Sequence, residues 1–289
     1  MCQYFLYKLL LLSFALQSFS ANNNSNTINV TNYCSYNLKF CNDKSIHTAC
    51  KYRPCEPGPA CGELYQPQPM DKLMRAFVLD LHNRIRSSLA LGEDKRIIGT
   101  IANMNILTYD FELEYIAECW VNRCFENHLK PHDECRKTYL FPSNTGQNLC
   151  HLIQPKFSDG YMRNGEIERC IDFTFFSGDR TIGHFTQLVW ADAIHVGCAR
   201  VKYGSGSFAQ FLFCCNYGPM GNIVGKSVYK IGKPCSKCKR RNRCDDKYEG
   251  LCDVTNHILD SSSSRYSTFH KLTLITFSIA TNFLISLFI

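Results

Sequence analysis

Cysteine constrains this chain more than any other residue type. There are 18 cysteines in 289 residues, and one of them, Cys2, lies in a stretch that reads as a removable leader. Lys8 precedes an apolar run at 9–16, and small residues follow at 18–21. A basic start, a short apolar stretch and a small-residue exit make a secretory signal over residues 1–21. The run is too short to span ~30 Å of hydrocarbon comfortably, which argues against a transmembrane anchor. Removing it leaves 17 cysteines in an oxidising compartment, where that density means a disulfide framework. An odd number leaves one thiol free or paired outside the chain. Asn23 (in Asn-Asn-Ser) and Asn29 (in Asn-Val-Thr) are glycosylation acceptors in the same N-terminal stretch.

Residues 272–289 form an uncharged apolar run, preceded by four serines at 261–264 and a short polar spacer. Small residues, a spacer and an apolar tail are the pattern of a GPI-attachment signal. The alternative is a transmembrane helix, which would often carry basic residues on its cytosolic side. The GPI reading is preferred, and release by a phosphatidylinositol-specific phospholipase tests it. The formal charge of +7 falls to +4 once Lys8, Arg265 and Lys271 leave with the two ends. The one dense basic run, 237–243, is followed by Asp245 and Asp246 and reads as a solvated face. No nucleic-acid partner is expected for a secreted chain. With 45% hydrophobic residues, the composition is not that of a disordered chain.

Between the ends, residues 22–70 are a Cys-rich N-terminal extension, 71–231 the main domain, 232–253 a Cys-rich C-terminal module, and 254–289 a Ser-rich spacer and tail. Residues 71–91 read as a helix: Asp71 caps it, Leu73, Phe77, Leu81, Ile85 and Leu89 recur at four-residue spacing, and Gly92 closes it. Residues 111–127 read as a second helix with Leu113, Ile116, Ala117, Trp120, Val121 and Cys124 as its apolar face. Two strands, 195–203 and 209–215, flank Gly204-Ser205-Gly206, and the second is apolar enough to be buried on both faces. Helices first and strands late predict an α+β layered domain.

Four segments carry a resemblance. They are His82-Asn83-Arg84-Ile85-Arg86; Gly146-Gln147-Asn148-Leu149; Gly183-His184-Phe185-Thr186-Gln187-Leu188-Val189-Trp190; and FLFCCNYGPMGN at 211–222. In this order they resemble the signatures of the CAP superfamily (cysteine-rich secretory proteins, antigen 5 and pathogenesis-related proteins). Asn32-Tyr33-Cys34 and His47-Thr48-Ala49-Cys50-Lys51-Tyr52 are similar to the start of insect venom antigen 5. The likeness runs over about residues 32–231. It implies a three-layer α-β-α sandwich, with Cys34 bonded to Cys50, Cys41 to Cys135, Cys61 to Cys124 and Cys198 to Cys215. Cys55, Cys119 and Cys214 receive no partner, and Cys150 with Cys170 is a conjecture. The last four cysteines read as two bridges, with a zinc knuckle at Cys235-x-x-Cys238 as the lesser alternative.

The resemblance further implies a cleft lined by His132, His184, Glu166 and Gln147, the last standing where many relatives carry Glu. Two imidazoles can bind zinc or copper through neutral nitrogens, and Glu166 could fix a ring tautomer. Gln147 hydrogen-bonds but takes no proton, so half of a two-carboxylate acid/base pair is missing. Each residue also has a plainer reading. His184 would serve equally as a satisfied, partly buried imidazole; His128 competes with His132; Arg163 stands near where relatives carry an aromatic beside Glu166; His82 reads as structural. No Gly-x-Ser-x-Gly, catalytic-thiol or phosphate-cradling motif is present.

The expected function is a non-enzymatic extracellular binding protein, monomeric and displayed on a membrane through its tail. Its partner would be a protein or a lipid or sterol, and the cleft would take zinc. The competing expectation is a metal-dependent hydrolase, a protease, using His132, His184 and Glu166 with a metal-bound water. A diffusing toxin or allergen fits the anchor less well.

Overall fold

The computed structural model describes residues 33–34, 41, 45–124, 132–155, 167–168, 170–171, 182–204, 208–239 and 243–254. All belong to the unit Thr31–Ile289. The expected signal, Asn23, Asn29, His128, Arg163, Glu166 and the apolar tail lie outside the described residues. Among the described residues no helix is long and apolar enough to cross a membrane.

The elements are α1 (Thr48–Lys51), β1 (Gln66–Pro67), α2 (Lys72–Ala90), β2 (Thr108–Tyr109), α3 (Phe111–Val121), β3 (Gly146–Pro155), α4 (Ile182–Leu188), β4 (His195–Tyr203) and β5 (Phe208–Gly218). The sheet order is β1-β4-β5-β3, with β2 also beside β4. Only β2 runs parallel to its neighbour. β5 is longer at both ends than its apolar core, 209–215, predicts, because β3 and β4 pair along most of its length.

Strand alternation builds the layers. Ala199, Val201, Tyr203 and Leu212 pack against Ala117, Trp120 and Val121 of α3. Val196, Phe211, Phe213 and Tyr217 point to the other face, among Val78, Leu81 and Leu89 of α2 and Leu188 of α4. The result is the α-β-α sandwich. Gly197 permits the close approach of α3: a Cβ there would lie 2.3 Å from both Asp110 O and Glu114 N.

The helix ends follow from local chemistry. Asp71 Oδ1 accepts from Met74 N at 2.8 Å and Asp110 Oδ1 from Leu113 N at 2.8 Å, two side-chain N-caps. Gly92, at φ +75°, closes α2 in the left-handed region. The four-residue stripe of α2 is corrected. Each such step overshoots a full turn by about 40°, so Leu73 and Leu89 lie about 160° apart around the axis. Leu73 is accordingly 80% exposed and Leu89 fully buried, and the inward face carries Val78, Leu81, His82 and Arg86. The expected second helix also stops early: Asn122 caps it, and Cys124 takes φ +46° beyond it to bond Cys61.

Disulfides hold what the core does not. The structure joins Cys34–Cys50, Cys41–Cys135, Cys61–Cys124 and Cys198–Cys215, the pairs the resemblance implies, and also Cys150–Cys170 and Cys55–Cys119. Cys235–Cys244 and Cys238–Cys252 consume the thiols of the supposed zinc knuckle. Among the described residues Cys214 is the one free thiol, and it is fully buried. The C-terminal module docks on the domain: Cys252 N donates to Met104 O, Ile106 N donates to Cys252 O, and Tyr248 and Leu251 join the α2 side of the core.

Candidate functional site

His184 sits in the short helix α4, Gln147 is the second residue of β3, and His132 stands in irregular chain before β3. The neighbours of His132 hold that irregular chain. Asp133 is buried and accepts from Thr48 Oγ1 at 2.5 Å and from Arg136 at 2.7 Å. Thr48 N and Oγ1 both donate to Cys135 O, and Cys135 is bonded to Cys41. The N-terminal extension therefore positions the first histidine.

The two imidazoles meet edge-on, with ring centroids 6.2 Å apart and planes at 73°. His132 is exposed and His184 half-buried. Burial, and then the neighbouring His132, hold the His184 imidazole below the ordinary histidine range, which favours the neutral, lone-pair-bearing ring. Behind the pair, Gln147 Oε1 lies 3.0 Å from His132 Nδ1, and Gln147 Nε2 donates to Asn216 Oδ1 at 3.0 Å. Asn216 Nδ2 donates in turn to Leu113 O at 3.1 Å. Asn148 Nδ2 donates to His184 O at 3.0 Å and steadies the second histidine through its backbone.

A family model described as "CAP: Cysteine-rich secretory protein family" matches residues 79–217. "Venom allergen 3" of Solenopsis invicta is 33% identical over 249 residues, covering 78% of this chain and 99% of the relative. The chain belongs to the CAP family. "Venom allergen 5" of Tityus serrulatus is 35% identical over 203 residues, 63% of this chain and 48% of the relative, so the chain spans about half the length of that protein. The solved structure "Structure of BmVAL-1" is alike in fold, with a TM-score of 0.51 at 23% identity, covering 63% of this chain and 94% of that one. With eight disulfides among the described residues, this CAP protein belongs to an oxidising, extracellular compartment.

Behind the histidine pair of the CAP domain lies a closed polar layer. His82 Nδ1 donates to Val78 O at 2.8 Å, and its Nε2 accepts from Tyr217 Oη at 2.9 Å, so both ring nitrogens are committed. Burial pushes its pKa down to about 4. Arg86, also fully buried, donates to the carbonyls of Asn105, Leu188, Trp190 and Ala193, and burial lowers its pKa to about 9. His82, Cys198 and Cys215 come within 4.8 Å of one another, but the two sulfurs are bonded to each other and offer no thiolate.

The sequence reading brought His132, His184 and Gln147 together, and the structure does the same. With Glu166 outside the described residues, the group seen to engage the His132 ring is Gln147, which the sequence marked only as a missing acid. Asn216 was missed as a site residue. Its signal was a polar residue continuing a strand that is otherwise apolar, which demands a buried partner. Thr48 and Asp133 carried no readable signal, because their contact spans 85 residues.

Proposed function

We propose that this CAP protein acts outside the cell as a binding protein rather than an enzyme, with His132 and His184 holding a divalent cation such as zinc. What supports the reading is the edge-on imidazole pair backed by an amide. Two neutral imidazoles suit zinc or copper, and the Gln147 amide can orient a ligand ring but cannot exchange a proton at neutral pH. A bound zinc would supply a Lewis-acidic charge; the chain's own residues orient the rings. Native mass spectra of the zinc-treated secreted protein test this. One zinc on wild type and none on His184→Ala is expected, while no zinc, or equal zinc on both, removes the metal from the reading.

One observation favours metal-dependent hydrolysis as a second reading: His132 is exposed, and a catalytic zinc needs a position open to water. Metal-dependent cleavage of a broad peptide pool, lost in His184→Ala, would establish that reading over the first.

We assign the partner to an extracellular protein, or a lipid or sterol, and the chain to a monomer. A cavity of ≈ 10 Å³ beside Asn148, Phe213 and Tyr217 has room for about one water. That cavity is too small for a sterol. Sterol binding by delipidated protein decides that part. Display through the apolar stretch at 272–289 belongs to the same proposal, and phospholipase release from cells tests it.

A further inference from the structure

We infer that Asn216 is a positioning residue that decides which nitrogen of His132 is offered to a ligand, by transmitting the direction of one main-chain carbonyl through two side-chain amides.

The relay starts from a group with no choice. Leu113 O, in the first turn of α3, can only accept, and Asn216 Nδ2 lies 3.1 Å from it. That sets the Asn216 amide and turns its Oδ1 toward β3. Gln147 Nε2 donates to this oxygen at 3.0 Å, which sets the second amide in turn. Gln147 Oε1 is then left for His132, and an amide oxygen only accepts. His132 Nδ1, 3.0 Å away, must carry the proton. A neutral imidazole with its proton on Nδ1 keeps its lone pair on Nε2.

Two facts make the relay stiff. Asn216 is fully buried and Gln147 is 7% exposed, so neither amide can trade its partner for bulk water. Gln147 and Asn216 are also directly opposed in the β3–β5 register, so the sheet itself holds their side chains on one face. Reversing the Asn216 amide would set its oxygen against Leu113 O and its nitrogen against Gln147 Nε2, and reversing Gln147 would set its oxygen against Asn216 Oδ1, in both cases at buried atoms.

The tautomer assignment stands without the metal. Only its consequence, that Nε2 is the metal donor, rests on the zinc reading of the cleft. The test uses both. Long-range ¹H–¹⁵N correlation spectra of the metal-free, full-length protein, taken at a pH above the imidazole range, report the protonated nitrogen of each histidine. His132 is expected as Nδ1–H. His82, locked by Val78 O, serves as a control for the intact fold. In Asn216→Ala, His132 is expected to become a mixture of tautomers while His82 is unchanged, and zinc is expected to bind about tenfold more weakly. If Asn216→Ala does not fold, Gln147→Leu removes the acceptor while sparing the Leu113 contact, and the same mixture is expected. His132 found as Nε2–H in wild type, or a pure Nδ1–H form persisting in a folded variant, overturns the inference. Wild type with Nδ1–H but no zinc affinity would sink the metal reading and leave the relay standing. Zinc affinity with Nε2–H would do the reverse.

Discussion

His82 and His132 both point Nδ1 at an oxygen that can only accept, yet they occupy opposite kinds of place. His82 lies under the sheet with both nitrogens committed and its side chain fully buried. His132 stands exposed at the rim, where the same kind of bond uses only one nitrogen. The difference is closure. A closed polar layer contributes to stability and resists protonation, whereas an open one leaves a donor for chemistry. The same residue type thus serves the scaffold in one region and the cleft in the other.

The sharpest way to break this comparison is Arg86→Ala, which removes a donor from four carbonyls in the closed layer; Trp190 O keeps its bond from Ala193 N, and the other three are orphaned. At about 1–3 kcal/mol for each unsatisfied group, a loss of about 5 kcal/mol is expected in urea unfolding. A loss under about 1 kcal/mol would show that the layer is not a stabilising unit. Next comes the Cys41–Cys135 bond, whose partners are 94 residues apart. Replacing both with serine should cost about 4 kcal/mol by chain entropy and should weaken zinc binding, because the His132 segment loses its staple. Unchanged affinity would mean that Thr48 and Asp133 suffice to hold the rim.

His82 also gives the fold a pH response. His82 is held neutral in the fold, with its pKa at about 4 against 6.5 when free. Above about 6.5 it is neutral in both states and adds no pH dependence. As pH falls from about 6.5 to about 4, the unfolded chain takes up the proton first, and stability should drop by about 3 kcal/mol. His82→Gln should flatten that part of the stability curve, and an unaltered slope would assign it to other groups. His132→Ala is the smallest change: an exposed side chain should cost less than about 0.5 kcal/mol. It should nevertheless abolish the rise in melting temperature that the zinc proposal expects of wild type at saturating zinc, and a persisting rise would move the metal elsewhere.

Local signals were the legible part of the fold. The caps Asp71 and Gly92 and the β4–β5 hairpin are written in neighbouring residues, and the structure contains them. Strand β3 carried no reading as a strand, since Gly146 to Leu149 were legible only as a motif. Its strand character comes from pairing with β5 more than 50 residues away. The four-residue stripe of α2 misled for a related reason: sequence shows spacing, and only packing reveals which part of a drifting stripe meets the sheet. In the site, His132, His184 and Gln147 were legible through the resemblance, but Gln147 was legible only as a loss.

The amino-acid sequence by itself determined the oxidising compartment and the α+β class, and through a family resemblance it pointed to His132 and His184, because cysteine number, local periodicity and short motifs are properties of neighbours along the chain. The tertiary structure alone decided that Cys214 is the free thiol among the described residues, that an N-terminal staple carries His132, and that Gln147 and Asn216 are hydrogen-bonded behind it. A hydrogen bond has a direction only once donor and acceptor are brought face to face, and here Leu113 and Asn216 meet across 103 residues of chain.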